Sequence, residues 1–146
     1  MFAVDTNVLL YAANEDVPQH RTCLRLLEGW RARREPWFLT WGVCYEFARV
    51  ITHPRVIENP WSSVAAWSFL DGLLLSPGLS ILTETDRHSA VARAVIEETP
   101  ALRGSLFHDA HTAILMREHG IRRIVTNDAD FHRFDFLEVI DPLTAA

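Results

Sequence analysis

The sequence contains no lysine, so all 14 of its basic residues are arginines. They are outnumbered by 19 acidic residues, which gives a formal net charge of −5 at pH 7. Proteins that bind nucleic acid usually carry a basic surplus, so composition alone does not favour that class. It does not exclude the class either, because bound cations would neutralise a cluster of carboxylates, and arginine is a good bidentate ligand for phosphate.

Cysteine and long apolar runs are also scarce. Cys23 and Cys44 are the only cysteines, and they form neither a disulfide framework nor a metal-ligand spacing. Both lie in apolar segments, which predicts buried free thiols. No apolar run approaches the roughly 20 residues needed to span a bilayer, and the opening MFAVDTN lacks the features of an export signal. We therefore expect a cytoplasmic protein with no membrane partner.

Short apolar runs alternate with segments of helical periodicity along the chain. Predicted strands cover residues 2–5, 37–40, 79–82, 123–126 and 137–140. Predicted helices cover residues 8–13, 20–34, 42–52, 61–75, 86–98 and 105–119. Thr6, Asn7 and Ser105 are the expected helix caps. This alternation is typical of a parallel sheet covered by helices on both faces, so we expect one α/β domain over residues 1–146.

Acidic residues occupy the positions where such a sheet binds ligands, beyond the carboxyl ends of its strands. Asp5 ends the first predicted strand, and Asp128 follows the fourth. Asp109 lies near the start of the helix that leads to the fourth strand. Glu46 lies in the first half of the helix after the second strand, at the border of its apolar face. We predict that these four side chains converge at one edge of the sheet.

Without a cation, converging carboxylates would protonate or move apart, and a hard divalent cation removes that conflict. At an effective dielectric constant of about 20, two like charges about 4 Å apart repel by about 4 kcal/mol. Mg²⁺ and Mn²⁺ prefer carboxylate and water oxygens, whereas zinc is less favoured at a site without a ring of histidines or thiols. Two such cations can clamp a phosphodiester, activate a water molecule and stabilise the leaving oxygen. The pattern therefore predicts hydrolysis of phosphate esters.

Each acid taken alone also has a simpler structural role. Asp5 can cap a helix, and Glu46 can be an ordinary solvated helix residue. Asp109 can favour the positive end of a helix, and the acids of the segment TNDADF can be turn formers. The order and context of the four acids together favour a shared site.

Four segments of the sequence carry a resemblance that extends over nearly the whole chain. They are VDTNVLLY at 4–11, the glutamate-containing WGVCYEF at 41–47, HDAHTA at 108–113 and IVTNDADF at 124–131. With these segments the chain resembles the PIN-domain ribonucleases, and specifically the VapC-type toxins of bacterial and archaeal toxin–antitoxin pairs. The resemblance implies a three-layer α/β/α domain with a short, mainly parallel central sheet.

The resemblance also assigns site residues. The acidic quartet of the family, its catalytic residues and metal ligands, matches Asp5, Glu46, Asp109 and Asp128. A further acid found in many members, a secondary metal ligand, matches Asp130. Polar residues that orient ligands or metal-bound water match Thr6, Asn7 and Thr126. Candidate phosphate contacts are Arg49, Arg55, Arg103 and Arg133.

The activity and partners that the resemblance implies follow from this site. We expect an endoribonuclease that uses Mg²⁺ or Mn²⁺ and, because water is the nucleophile, leaves a 3′-hydroxyl and a 5′-phosphate. The family members are usually homodimers, and a cognate antitoxin holds them inactive by laying a C-terminal segment across the active-site groove. The RNA substrate is not identified by the sequence.

Three other protein classes share parts of this pattern. The dipeptide at His108 and Asp109, with His111 nearby, resembles the metal site of HD-type phosphohydrolases, but those enzymes are all-helical. A phosphatase of the haloacid-dehalogenase type needs a second aspartate where Asn7 stands, and a lysine that the sequence lacks. A catalytically idle PIN-like domain that only binds other proteins would be expected to have lost at least one acid of the quartet.

Overall fold

A computed structural model describes residues 1–144 of the chain. The strands are β1 (Phe2–Val4), β2 (Trp37–Thr40), β3 (Leu79–Leu82), β4 (Arg123–Val125) and β5 (Glu138–Ile140). The α-helices are α1 (Thr6–Ala13), α2 (His20–Ala32), α3 (Trp41–Ile51), α4 (Ser63–Leu74), α5 (His88–Glu98) and α6 (Leu106–Glu118). A short 3₁₀ helix covers Ala129–Arg133, where sequence analysis predicted only a turn. The predicted strand and helix positions are otherwise confirmed to within about two residues.

The five strands form one sheet in the order β3-β2-β1-β4-β5. Every strand pair in the described part of the chain is parallel, with Ala3 opposite Phe38 on one side and opposite Ile124 on the other. The chain runs outward from β1 through β2 to β3, then returns to place β4 against the opposite side of β1. The strand order therefore reverses between β1 and β4, where an open parallel sheet binds ligands.

The two faces of the sheet build two separate apolar cores. Alternate residues of a strand point to opposite faces, so Val4 packs with Leu9 and Phe47 on one side, whereas Ala3 packs with Ala113 and Ile114 on the other. Helices α1 to α4 cover the first face, and α5, α6 and the 3₁₀ helix cover the second. The expected three-layer α/β/α architecture is confirmed, and it excludes the all-helical HD-type phosphohydrolase.

The helix ends explain how β1 passes directly into α1. Asp5 is the N-cap of α1, and its side chain accepts a hydrogen bond from the Thr6 backbone N–H at 2.8 Å. The expectation that Thr6 and Asn7 themselves cap this helix is wrong, because both already lie inside it. Ser105 precedes α6 as predicted, but its side chain makes no capping hydrogen bond.

Two further expectations concern the cysteines and the membrane. Cys23 and Cys44 are free and fully buried, as predicted. Among residues 1–144, no helix has the length and apolarity required to cross a bilayer.

Candidate active site

A cleft of about 330 Å³ opens at the carboxyl ends of β1 and β4. Its walls come from the start of α1, the first half of α3, the start of α6 and the loop after β4. All five acids singled out from the sequence line it, namely Asp5, Glu46, Asp109, Asp128 and Asp130. Asp5 and Asp128 follow the carboxyl ends of β1 and β4, which are neighbours in the sheet. Helices α3 and α6 place Glu46 and Asp109 in the same cleft.

Asp5 lies at the base of the cleft and is only 7% exposed. Its Oδ2 atom accepts hydrogen bonds from Thr126 Oγ1 at 2.8 Å and from Asn7 Nδ2 at 3.2 Å. Asn7 Nδ2 also donates to Thr126 Oγ1 at 3.0 Å, and that oxygen accepts a third bond from the Asp128 backbone N–H at 3.0 Å. Asn7 and Thr126 thus fix the position of Asp5 and tie it to the loop that carries Asp128. Thr6 contributes its backbone N–H to Asp5.

The closest group of acids is Asp109, Asp128 and Asp130. One carboxylate oxygen from each lies within 4.8 Å of the other two. Asp128 caps the 3₁₀ helix, since its Oδ1 accepts a hydrogen bond from the Asp130 N–H at 2.9 Å. Asp130 also lies 3.7 Å from the Arg133 guanidinium. These three acids are half-buried at the mouth of the cleft, so solvent can reach them.

Glu46 lines the same cleft but is engaged by a neighbour on its own helix. Arg49 donates two hydrogen bonds to it, from Nε to Oε2 at 3.0 Å and from Nη2 to Oε1 at 2.7 Å. These bonds, reinforced by the charge of Arg49, lower the pKa of Glu46 despite its partial burial. The arginine occupies both oxygens that the sequence analysis assigned to a cation.

Burial and neighbouring like charges both disfavour the ionised carboxylates of the cleft. Burial raises the pKa of Asp5 to about 6, with smaller contributions from the charges of Asp128 and Glu46. Burial also raises the pKa of Asp109 to about 7, and all four other acids of the cleft add to this effect. A cation held among these carboxylates would relieve the repulsion and favour their ionised forms.

The chain is similar to known proteins in sequence and in overall fold. The model of the PIN domain family matches residues 2–137. The chain belongs to the PIN-domain family. Ribonuclease VapC48 of Mycobacterium tuberculosis is 31% identical to this PIN domain over 140 residues, which is 96% of each chain. Ribonuclease VapC43 of the same species is 34% identical over 143 residues, 98% of this chain and 96% of that protein.

Solved structures share the fold of this PIN domain. The crystal structure of Mycobacterium tuberculosis VapC20, described as a sarcin-ricin loop cleaving toxin, superposes with a TM-score of 0.68 at 23% identity. The superposition covers 97% of this chain and 100% of the VapC20 chain. The crystal structure of VapBC2 from Rickettsia felis, bound to a DNA fragment from the promoter, gives a TM-score of 0.66 at 18% identity, covering 94% and 96% of the two chains.

Other residues that line the cleft of this PIN domain were missed or considered only for the HD-type alternative. Ser105, His108, His111 and Thr112 come from the start of α6 and Gly42 from the start of α3. For His108, His111 and Thr112 the signal was the segment HDAHTA, since residues three and four positions apart lie on the same face of a helix. None of the four candidate phosphate-binding arginines lines the cleft.

Proposed function

We propose that this PIN domain is a metal-dependent endoribonuclease and the toxin of a toxin–antitoxin pair, acting in the cytoplasm. Its activity class is supported by two relatives of matching length, both named ribonucleases. The observation that carries the proposal is the cleft itself, where Asp109, Asp128 and Asp130 approach within 4.8 Å beside the buried Asp5. A cation among these carboxylates would balance their charge and offset their mutual repulsion.

The donors in the cleft fit a hard divalent cation. The closest group of acids offers only oxygen atoms, which Mg²⁺ and Mn²⁺ prefer over nitrogen or sulfur. We propose that Asp5, Asp109 and Asp128 hold the ion, that Asp130 assists, and that Glu46 completes the set when it leaves Arg49. When bound, such an ion lowers the pKa of water and stabilises charge on phosphate oxygens.

The residues of the chain organise this chemistry. Thr126 and Asn7 hold Asp5 in one orientation through hydrogen bonds of 2.8 and 3.2 Å, so the buried carboxylate needs no rearrangement to act as a ligand. The half-buried acids at the mouth of the cleft leave room for a phosphodiester and for the attacking water. Because water is the nucleophile in this scheme, the products carry a 3′-hydroxyl and a 5′-phosphate.

RNA cleavage by the purified protein tests the proposal. Structured RNA is incubated with Mg²⁺, Mn²⁺ or EDTA, and the ends of the products are mapped. We expect cleavage with either metal, none with EDTA and almost none for Asp5→Asn. A matched control is Asp71→Asn, which changes an exposed acid of α4 outside the cleft and is expected to leave cleavage intact. Cleavage that survives both EDTA and Asp5→Asn contradicts the proposal, whereas no cleavage under any condition favours the idle interaction domain.

We further propose that residues 1–146 form a single PIN domain that is a homodimer and binds a cognate antitoxin. The family match over residues 2–137 supports the single domain, of which residues 145 and 146 lie outside the described part. Exposed aromatic side chains on α3, Trp41 at 42% and Tyr45 at 63%, support an interface with another protein. A mass of twice the 16.7 kDa chain in light scattering is expected for the protein alone, and a monomeric mass contradicts the dimer.

A further inference from the structure

A second cluster of ligand-type side chains lies beside the acidic cleft. Glu84 comes from the loop after β3, His88 is the first residue of α5, and His111 lies on α6. One carboxylate oxygen of Glu84 and one ring nitrogen of each histidine lie within 4.8 Å of one another. His111 Nε2 is 3.1 Å from Glu84 Oε1, and the two imidazole rings are 6.1 Å apart. Three separate elements thus bring two histidines and a carboxylate to one point.

A buried carboxylate behind the cluster fixes one of its histidines. The Glu118 side chain is completely inaccessible to solvent, and its Oε2 lies 2.6 Å from His88 Nδ1. Its Oε1 accepts hydrogen bonds from the backbone N–H and the hydroxyl of Thr85, at 2.9 and 2.7 Å. When the Nδ1–H of a neutral His88 donates a hydrogen bond to Glu118, the other ring nitrogen keeps the lone pair that a metal ion requires. Histidines that bind metals are commonly oriented by a carboxylate in this way.

The donor types distinguish this cluster from the acidic cleft. Two imidazoles and one carboxylate are the ligand set of many zinc sites, which leave a fourth position for water or another ligand. With metal–ligand bonds of about 2.1 Å, two ligands of a tetrahedral zinc ion lie about 3.4 Å apart. The 3.1 Å between His111 and Glu84 is close to that separation, and the ligand atom of His88 lies within 4.8 Å of both.

We propose that Glu84, His88 and His111 form a zinc site separate from the acidic cleft. Because the three ligands come from the β3–α5 loop, α5 and α6, a zinc ion would fix these elements against one another. His111 also lines the cleft, and its Nδ1 would lie 3.2 Å from a Cβ atom added at Gly42. Because Asp109 lies on the same turn of α6, the ion also restrains one wall of the cleft.

Zinc binding is tested by titration against a chromogenic chelator. The background is the double variant Asp109→Asn and Asp128→Asn, which weakens any binding in the acidic cleft. We expect this protein to bind one Zn²⁺ per chain. Changing an orienting residue behind a metal ligand weakens binding by about 10–100-fold, so His88→Asn, which removes a ligand, is expected to cost at least about 100-fold. Glu118→Gln is expected to cost about 10-fold.

Controls separate the loss of a ligand from the loss of the fold. His119→Asn changes a neighbouring histidine that contacts the Thr83 carbonyl and not the cluster, and zinc affinity is expected to stay unchanged. Glu84→Gln alters a side chain that is 53% exposed, so it weakens zinc binding without unfolding the protein, as circular dichroism would verify. The proposal is overturned if the background variant binds no Zn²⁺, or if Glu84→Gln and His88→Asn bind it as tightly as the background variant does.

The outcome is independent of RNA cleavage. Loss of zinc binding in Glu84→Gln supports this site whether or not the protein cleaves RNA. If the background variant binds no Zn²⁺ while the wild-type protein cleaves RNA normally, this site is overturned and the proposed function stands.

Discussion

Replacing Asp5 by asparagine is expected to stabilise the metal-free protein, although it removes a proposed metal ligand. The folded state raises the pKa of Asp5 from 3.8 to about 6, mainly through burial. Folded protein therefore binds this proton more tightly than unfolded protein does. The stability of the metal-free protein consequently falls as the pH rises from 3.8 to about 6 and levels off above that range.

The size of the effect follows from the pKa and the hydrogen bonds. A rise from 3.8 to about 6 is equivalent to about 3 kcal/mol of lost stability at pH 8. Asparagine carries no charge and caps helices as well as aspartate does, so it keeps the bond from the Thr6 N–H. Both bonds that Oδ2 accepts, from Thr126 and Asn7, are lost because an amide nitrogen cannot accept a hydrogen bond, at a cost of about 1 kcal/mol each. The net expectation is a gain of about 1 kcal/mol at pH 8 and a net loss at pH 4, where the raised pKa keeps Asp5 of the wild type protonated and uncharged.

Urea unfolding in EDTA, followed by circular dichroism, measures this difference. With a slope of about 2 kcal/mol per molar urea, the midpoint of Asp5→Asn is expected about 0.5 M above that of wild type at pH 8. Asp71→Asn, on the exposed side of α4, serves as the control and should shift the midpoint little. A midpoint for Asp5→Asn at or below wild type at pH 8 would refute the inferred cost of burying the Asp5 charge.

Two further predictions concern Arg49 and the glycines. Arg49→Gln releases both oxygens of Glu46, so the affinity for Mn²⁺ measured by calorimetry should rise several-fold. The free energy of unfolding should change by less than about 1 kcal/mol, because the ion pair is exposed. Weaker Mn²⁺ binding would contradict the inference that Arg49 competes with the cation for Glu46. Gly78→Ala places a methyl group against the Glu35 carbonyl and should destabilise by about 2–3 kcal/mol. Gly29→Ala, in α2 with open space around it, should stabilise the folded protein by about 1 kcal/mol. Equal effects of the two substitutions on the thermal midpoint would contradict the close contact between Gly78 and Glu35.

The sequence was sufficient to predict the layers and the edge of the sheet that holds the cleft. Apolar runs that alternate with helices are typical of a parallel sheet covered by helices on both faces. Acidic residues that follow the strands then lie at the carboxyl edge of that sheet. Strand order was not predictable, because pairing β1 with β4 depends on how the helices pack rather than on any local pattern. The 3₁₀ helix was also missed, since TNDADF has the same composition as an ordinary turn.

Side-chain partners were the least predictable part of the site. The position of Glu46 on α3 was foreseen, but its pairing with Arg49 depends on side-chain rotamers that spacing alone does not determine. Of the two roles considered for Asp5, the helix cap is confirmed through Oδ1, and Oδ2 accepts hydrogen bonds from Asn7 and Thr126. Its role as a metal ligand stays a prediction. The cluster of Glu84, His88 and His111 was not predicted, since its members come from three elements that are not adjacent in the sequence.

Anomalous diffraction from crystals grown with Mn²⁺ shows whether the acidic cleft holds a divalent cation. We expect an anomalous peak within coordination distance of Asp5, Asp109 and Asp128. Crystals that show no peak in the cleft, or a peak only at Glu84, His88 and His111, would contradict it.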